Sequence, residues 1–198
     1  ALHATLADVC LVEARVDDAE GHILAAMAAD TQNPDLRGQL GAFYVSMCRF
    51  EEAADAFLRA IQLSTGARQL TYRAALADAY TRLKEYDKAE REWQIVLNAA
   101  PDNTRAWLEL AKVRKEAGRY QQCIEAVEKA LNAGAENPVV EAGWRAVMAE
   151  AYQAMNRPED AAKQFEQIRG LAKDPELAVQ IGYLLHTLRH DRQAAEVI

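Results

Sequence analysis

Apolar positions along the chain recur at intervals of 3, 4 and 7 residues, the spacing that places them on one stripe of successive amphipathic helices. One short pattern stands out: a bulky apolar residue, a small one and, three positions on, a larger side chain, seen as Leu76-Ala77-x-x-Tyr80. It returns as Leu6-Ala7-x-x-Cys10, Leu40-Gly41-x-x-Tyr44, Leu110-Ala111-x-x-Arg114, Met148-Ala149-x-x-Tyr152 and Ile181-Gly182-x-x-Leu185. From Leu6 onward the steps are 34, 36, 34, 38 and 33 residues. Twelve residues after each small residue comes a second one (Ala19, Ala53, Ala89, Cys123, Ala161, Ala194), and four residues later a bulky one (Ile23, Phe57, Trp93, Val127, Phe165, Ile198). A further apolar, mostly small position follows as Ala26, Ala60, Val96, Ala130 and Ile168. Each period therefore holds two helices whose small residues allow close approach while the large ones fill the gaps.

The breaks fit this register. Asn33-Pro34-Asp35, Ala100-Pro101-Asp102-Asn103, Asn137-Pro138 and Asp174-Pro175-Glu176 fall between periods, where proline suits a first helical turn. Arg49-Phe50-Glu51, Glu85-Tyr86-Asp87, Gly118-Arg119-Tyr120 and Asn156-Arg157-Pro158 mark the turn inside each period. The expected helices are 2–14, 17–30, 34–47, 50–64, 69–83, 86–99, 104–117, 120–133, 139–155, 158–171, 175–188 and 191 to the end. The longer steps imply insertions near Ser64-Thr65-Gly66 and near Asn132-Ala133-Gly134-Ala135.

The pattern resembles the tetratricopeptide repeat (TPR), in about six copies over the whole chain. The third and fourth copies carry it best, through Leu76, Ala77, Tyr80, Ala89, Trp93 and Pro101, then Trp107, Leu110, Ala111, Gly118 and Ala130. Departures are Cys10 and Arg114, where the family favours tyrosine, and Cys123, where it favours alanine. The resemblance implies an all-α, right-handed superhelical solenoid of antiparallel helix pairs. Its copies would be approximately 1–33, 34–69, 70–103, 104–141, 142–174 and a truncated 175–198. Because the last copy stops within its second helix, the chain reads as a segment of a longer array.

Composition narrows the function. With 9 Gly and 5 Pro scattered among helix-forming residues, a β-rich fold is excluded. A net charge of -7 argues against phosphate-backbone binding, so nucleic acid is not an expected partner. No apolar run approaches the length needed to cross a membrane. Cys10, Cys48 and Cys123 are far apart and form no Cys-x-x-Cys, so they read as reduced structural thiols. That favours a cytoplasmic compartment slightly over a periplasmic one.

Catalytic chemistry has little to stand on: there is no phosphate-binding glycine loop, no Gly-x-Ser-x-Gly and no His-Glu-x-x-His. His186 and His190, four apart, lack a third ligand and read as surface residues; no metal or cofactor is expected. Trp93 and Trp107 sit on core positions, whereas Trp144 is one residue off register and is expected to be partly exposed.

What remains is a binding surface. In such arrays the first helix of each pair lines the concave face. Its central row would be Asp8, Ala42, Asp78, Lys112, Glu150 and Tyr183, and the row one turn earlier Ala4, Gly38, Ala74, Leu108, Ala146 and Val179, small enough for a roomy groove. Arg105, Lys112 and Lys115 form a cationic line bordered by Asp78 and Glu150. The candidate partner-binding residues are thus Asp78, Arg82, Arg105, Leu108, Lys112, Lys115, Glu150 and Tyr183. Chaperone-binding family members grip an acidic tail through a Lys-Asn pair; none stands in these rows. The expected function is a non-enzymatic scaffold for an acidic or mixed-charge protein segment. Alternatives are a periplasmic repeat domain of a bacterial secretion or exopolysaccharide-export protein recruiting an enzyme, an RNA-reading helical repeat, and an enzyme whose catalytic domain lies elsewhere.

Overall fold

A computed structural model describes residues 16–187 and 190–197. Eleven helices appear among the described residues: α1 (Val16–Ala29), α2 (Pro34–Ser46), α3 (Phe50–Gln62), α4 (Gly66–Arg82), α5 (Tyr86–Ala99) and α6 (Thr104–Glu116), then α7 (Tyr120–Ala133), α8 (Pro138–Ala154), α9 (Pro158–Leu171), α10 (Pro175–Thr187) and α11 (Asp191–Val197). No strand occurs among them. The fold class is therefore the all-α array of helix pairs expected from the period. The expected helix 2–14 and the positions Ala4, Leu6, Ala7, Asp8 and Cys10 lie outside the described residues, as do the side chains of Ala19 and Ala194 and the whole of Ile198.

Local chemistry starts and stops each helix. Asn33, Asn103 and Asn137 cap α2, α6 and α8 by accepting from the backbone N–H of Asp35, Ala106 and Val140, each at 3.0 Å. Asp174 caps α10 through Leu177 N–H at 2.9 Å. Pro34, Pro138, Pro158 and Pro175 open their helices, where the missing N–H costs nothing. Pro101 is the exception, standing in the turn before α6, where its carbonyl accepts the Trp107 indole N–H at 2.8 Å.

The turn inside each pair is one motif used again and again. The N–H of Arg49, Glu85, Arg119, Arg157 and His190 donates to the carbonyl five residues back, at 2.7 to 2.9 Å, closing the first helix. The preceding residue has positive φ at Cys48 (56°), Lys84 (60°), Gly118 (74°) and Asn156 (56°). A cation from the second helix or its approach then stacks on the tyrosine that ends the first: Arg49 on Tyr44 at 4.4 Å, Lys88 on Tyr80 at 5.1 Å and Arg157 on Tyr152 at 4.8 Å. Arg114, which takes the tyrosine place in its copy, instead donates to the Gln122 carbonyl. Cys48 belongs to this exposed turn and is not a structural core thiol.

The insertions extend the first helices. Where α2, α6 and α10 have 13 residues, α4 and α8 have 17. α4 accordingly begins at Gly66, three residues before the expected start, and Gln69 Nε2 tethers it by donating to the Ile61 and Ser64 carbonyls at 3.1 Å.

The chain divides into two compact units, Ala1–Val96 and Leu97–Ile198. In the first, α2 contacts α4 and α3 lies between α2 and α4 in sequence, packing on both. Its core joins Ala53, Ala54, Phe57, Ile61, Leu76 and Ala79, beside a cluster of Ile23, Leu40, Phe43 and Ala56. Gly41 shows why the small position must be small: a Cβ there would lie 2.5 Å from the Phe57 ring. In the second unit α8 contacts both α6 and α10, with α7 and α9 packed on α8 from their own pairs. Its larger core joins Ala111, Cys123, Ile124, Ala126, Val127 and Met148. Trp144 lies in that core at 3% exposure, against the expectation of partial exposure. It stands one helical turn before Met148, at the position that Leu36 and Ala106 fill in other copies, so it shares the buried face. Trp107, by contrast, is only half-buried, packing on the core from its rim. Burial pushes the Cys123 thiol up to about 11, which keeps it protonated and unreactive.

Candidate functional site

The proposed surface residues divide between the two units. Asp78 and Arg82 are exposed on α4, one turn apart, in the first unit. The other six belong to the second unit, where Arg105 is exposed at the start of α6 and Leu108 is half-buried against the core. Lys112, Glu150 and Tyr183 occupy equivalent positions on α6, α8 and α10, separated by 38 and 33 residues. Tyr183 is 71% exposed and Val179, one turn before it, 57%.

The row one turn earlier does not make a roomy groove. The Tyr72 ring covers Gly38 so closely that a Cβ there would lie 2.4 Å from it, and the Tyr72 hydroxyl donates to Asp35 at 2.6 Å. Ala146 is fully buried with Ile168, Ile181 and Leu185. Small residues in this row serve helix contact, because a first helix must also pack on the first helices beside it.

The cationic line is largely neutralised within the fold. Lys112 pairs with Glu109, one turn back on α6, at 2.8 Å. Lys115 reaches across to α8 and pairs with Glu150, which on its other oxygen accepts from His190 Nε2 at 3.1 Å. The His190 side chain is 11% exposed and meets the edge of Phe165 with ring centroids 5.3 Å apart, so the reading of His190 as a surface histidine is corrected. Side chains from α6 and from the turn before α11 thus converge on one α8 carboxylate, and α9 backs the histidine through Phe165. His186 is exposed, and no group of three metal-ligand side chains occurs among the described residues.

Burial of Glu150 opposes its charge, but hydrogen bonds from His190 and Lys115 prevail and hold the carboxyl below the usual carboxylate range. A carboxyl whose pKa is lower folded than unfolded stabilises the fold above the unfolded value, and this is lost as pH falls through the folded value. In urea titrations across acid pH, the stability gap between the natural chain and Glu150→Gln is expected to narrow as pH falls through and below the ordinary carboxylate range. A constant gap would show that the charge of Glu150 plays no part.

Comparisons with known proteins add the family and the fold. The sequence profile of the TT21 fifth ARM repeats domain matches residues 72–180. A comparison with curated proteins finds no match. Among solved structures, one titled "Crystal structure of MamA protein" superposes with a TM-score of 0.75 at 19% identity, covering 87% of this chain and 91% of that one. MamA 41-end from Desulfovibrio magneticus RS-1 gives 0.74 at 18% identity, covering 86% and 93%. MamA AMB-1 gives 0.67 at 21% identity, covering 89% and 94%. At these identities the likeness is one of fold, a solenoid of helical repeats.

Proposed function

Because the chain belongs to the TT21 fifth ARM repeats domain family, a family of helical repeats, we propose that it is a non-enzymatic scaffold that binds a protein segment on its first-helix surface. The two-helix period of 33 to 38 residues supports reading its copies as tetratricopeptide-type pairs. The observation that carries the binding reading is on α10, where Val179 and Tyr183 stand one turn apart at 57% and 71% exposure. An exposed aliphatic and aromatic pair suits the anchors of a docked segment, with a phenol ready to hydrogen-bond a peptide group. Arg105 and Lys112 would orient an acidic or mixed-charge partner, acting on encounter more than on final strength. Lys115 has a structural part instead, since reversing its charge would set two carboxylates together at Glu150.

The test is a peptide array carrying acidic, mixed-charge and neutral sequences, read with the natural chain and with Val179→Ala/Tyr183→Ala and Arg105→Glu/Lys112→Glu double variants. Both variants should fold normally and bind fewer peptides, and the charge variant should also lose the salt sensitivity of the natural chain. Lys163→Glu, on the exposed face of the second helix α9, is the control. Lys129 is unsuited to that purpose, because its ammonium stacks on the Trp107 ring at 4.6 Å. Peptide retention equal across all these variants would remove the first-helix surface from the reading.

A further inference from the structure

The repeat register exposes a mismatch in the first unit. Arg37, Arg73, Trp107 and Arg145 occupy one position, and Arg59, Ile95, Lys129 and Gln167 another on the second helix of the same pair, by the steps of 36, 34 and 38 residues. In three copies the first of these closes the seam between its two helices with a complementary partner. Arg73 Nη1 donates to Glu92 Oε2 at 2.7 Å. Trp107 receives the Lys129 ammonium on its face at 4.6 Å. Arg145 donates to Gln167 and, at 3.3 Å, to Gln164. In the α2–α3 copy the place of Glu92 and Gln164 is taken by Ala56, which is buried, and the place of Lys129 and Gln167 by Arg59. Two guanidinium groups therefore stand where the two later copies place a matched pair, Trp107 with Lys129 and Arg145 with Gln167.

That seam is open. Arg37 and Arg59 line a cleft of about 500 Å³ together with Asp55, Leu58, the amides of Gln32 and Gln62, and two residues of its rim. Arg37 gives one N–H to the Thr31 carbonyl at 3.2 Å, which steadies it in the cleft wall. Among the described residues neither arginine pairs with Asp55, although Asp55 and Arg59 are one turn apart on α3. The cleft keeps one net positive charge in a chain of net charge -7. Two arginine forks with amide donors beside them match the paired oxygens of a carboxylate. A single surplus charge matches a monoanion better than a dianionic phosphate, and Leu58, 37% exposed, offers apolar surface to the chain that carries it.

We propose that this cleft is a second contact site, in which Arg37 and Arg59 bind an aspartate or glutamate carboxylate of an acidic, leucine-bearing partner segment. It goes beyond the first-helix surface and rests on the scaffold reading only in taking a protein as the ligand. The probe is a fluorescein-labelled peptide of alternating leucine and glutamate, read by anisotropy with the 198-residue chain, alongside its leucine-glutamine counterpart and inorganic phosphate as competitor. The glutamate peptide should bind, the glutamine peptide should not, and phosphate should compete only weakly. Arg37→Ala and Arg59→Glu should each weaken binding about tenfold or more, the loss of one charge-assisted contact. Arg59→Glu should at the same time raise the melting temperature, since it gives Arg37 an acceptor at the position from which Gln167 receives Arg145. No binding of the glutamate peptide, equal binding of the glutamine peptide, phosphate as the only ligand, or unchanged affinity in both arginine variants would each overturn the assignment. If Arg105→Glu/Lys112→Glu alone abolished binding, the cleft would fall while the scaffold reading stood.

Discussion

Leu110→Ala is expected to destabilise the second unit by about 2–5 kcal/mol, the largest effect of any single substitution considered for this protein. Leu110 is fully buried on α6, between the half-buried Trp107 and the fully buried Ala111. Removing its branched end leaves a void that neighbours on rigid helices can close only in part, so lost contacts add to the lost transfer of apolar surface from water. In an array each pair is held mainly by those beside it, so the damage should spread beyond α6. Urea unfolding followed by helical circular dichroism measures it, with Leu24→Ala, at a side chain 46% exposed, as the control. Equal midpoints for the two variants would mean that the repeat's bulky position is not a core position.

The opposite substitution should also be costly. Ala77→Leu and Ala89→Leu, at fully buried positions on α4 and α5, are each expected to lose about 1–3 kcal/mol or more, because the added atoms have no room between helices in contact. Gly41 shows the same crowding in the preceding copy, where even a methyl group would meet the Phe57 ring at 2.5 Å. Ala133→Leu, exposed at the last position of α7, should be nearly neutral. If all three changed stability alike, the small residues would not mark the points of closest helix approach.

Some of the candidate site could be read from residue spacing and some could not. Arg105, Tyr183 and Val179 are exposed, as first-helix surface positions should be. The partner of Lys115 could not be read in this way, because Glu150 is 35 residues away and His190 a further 40. Charge and register placed Glu150 beside the basic line, but not the hydrogen bonds that make it the centre of a part-buried node. The mismatch at Arg37 and Arg59 was in principle legible, since aligning the copies puts two arginines at positions that are complementary elsewhere. That those two positions touch across the pair is not visible in aligned copies and comes from the contacts Trp107–Lys129 and Arg145–Gln167.

Among the described residues the sequence by itself determined the helices, their grouping in pairs and, apart from the start of α4, their ends to within about two residues. Those features rest on short-range physics: the 3.6-residue period of apolar side chains, asparagine and aspartate caps, proline at first turns, and a turn closed by a hydrogen bond five residues long. Only the tertiary structure decided which side chains meet. Trp144 is buried because it stands a turn before Met148 on a shared face, Gly38 is covered because Tyr72 leans over it from the next first helix, and Glu150 is bracketed because α6 and the turn before α11 both reach it. Such meetings depend on how closely neighbouring helices approach and in which direction each side chain leaves its helix, and both are set by packing between segments distant in the chain.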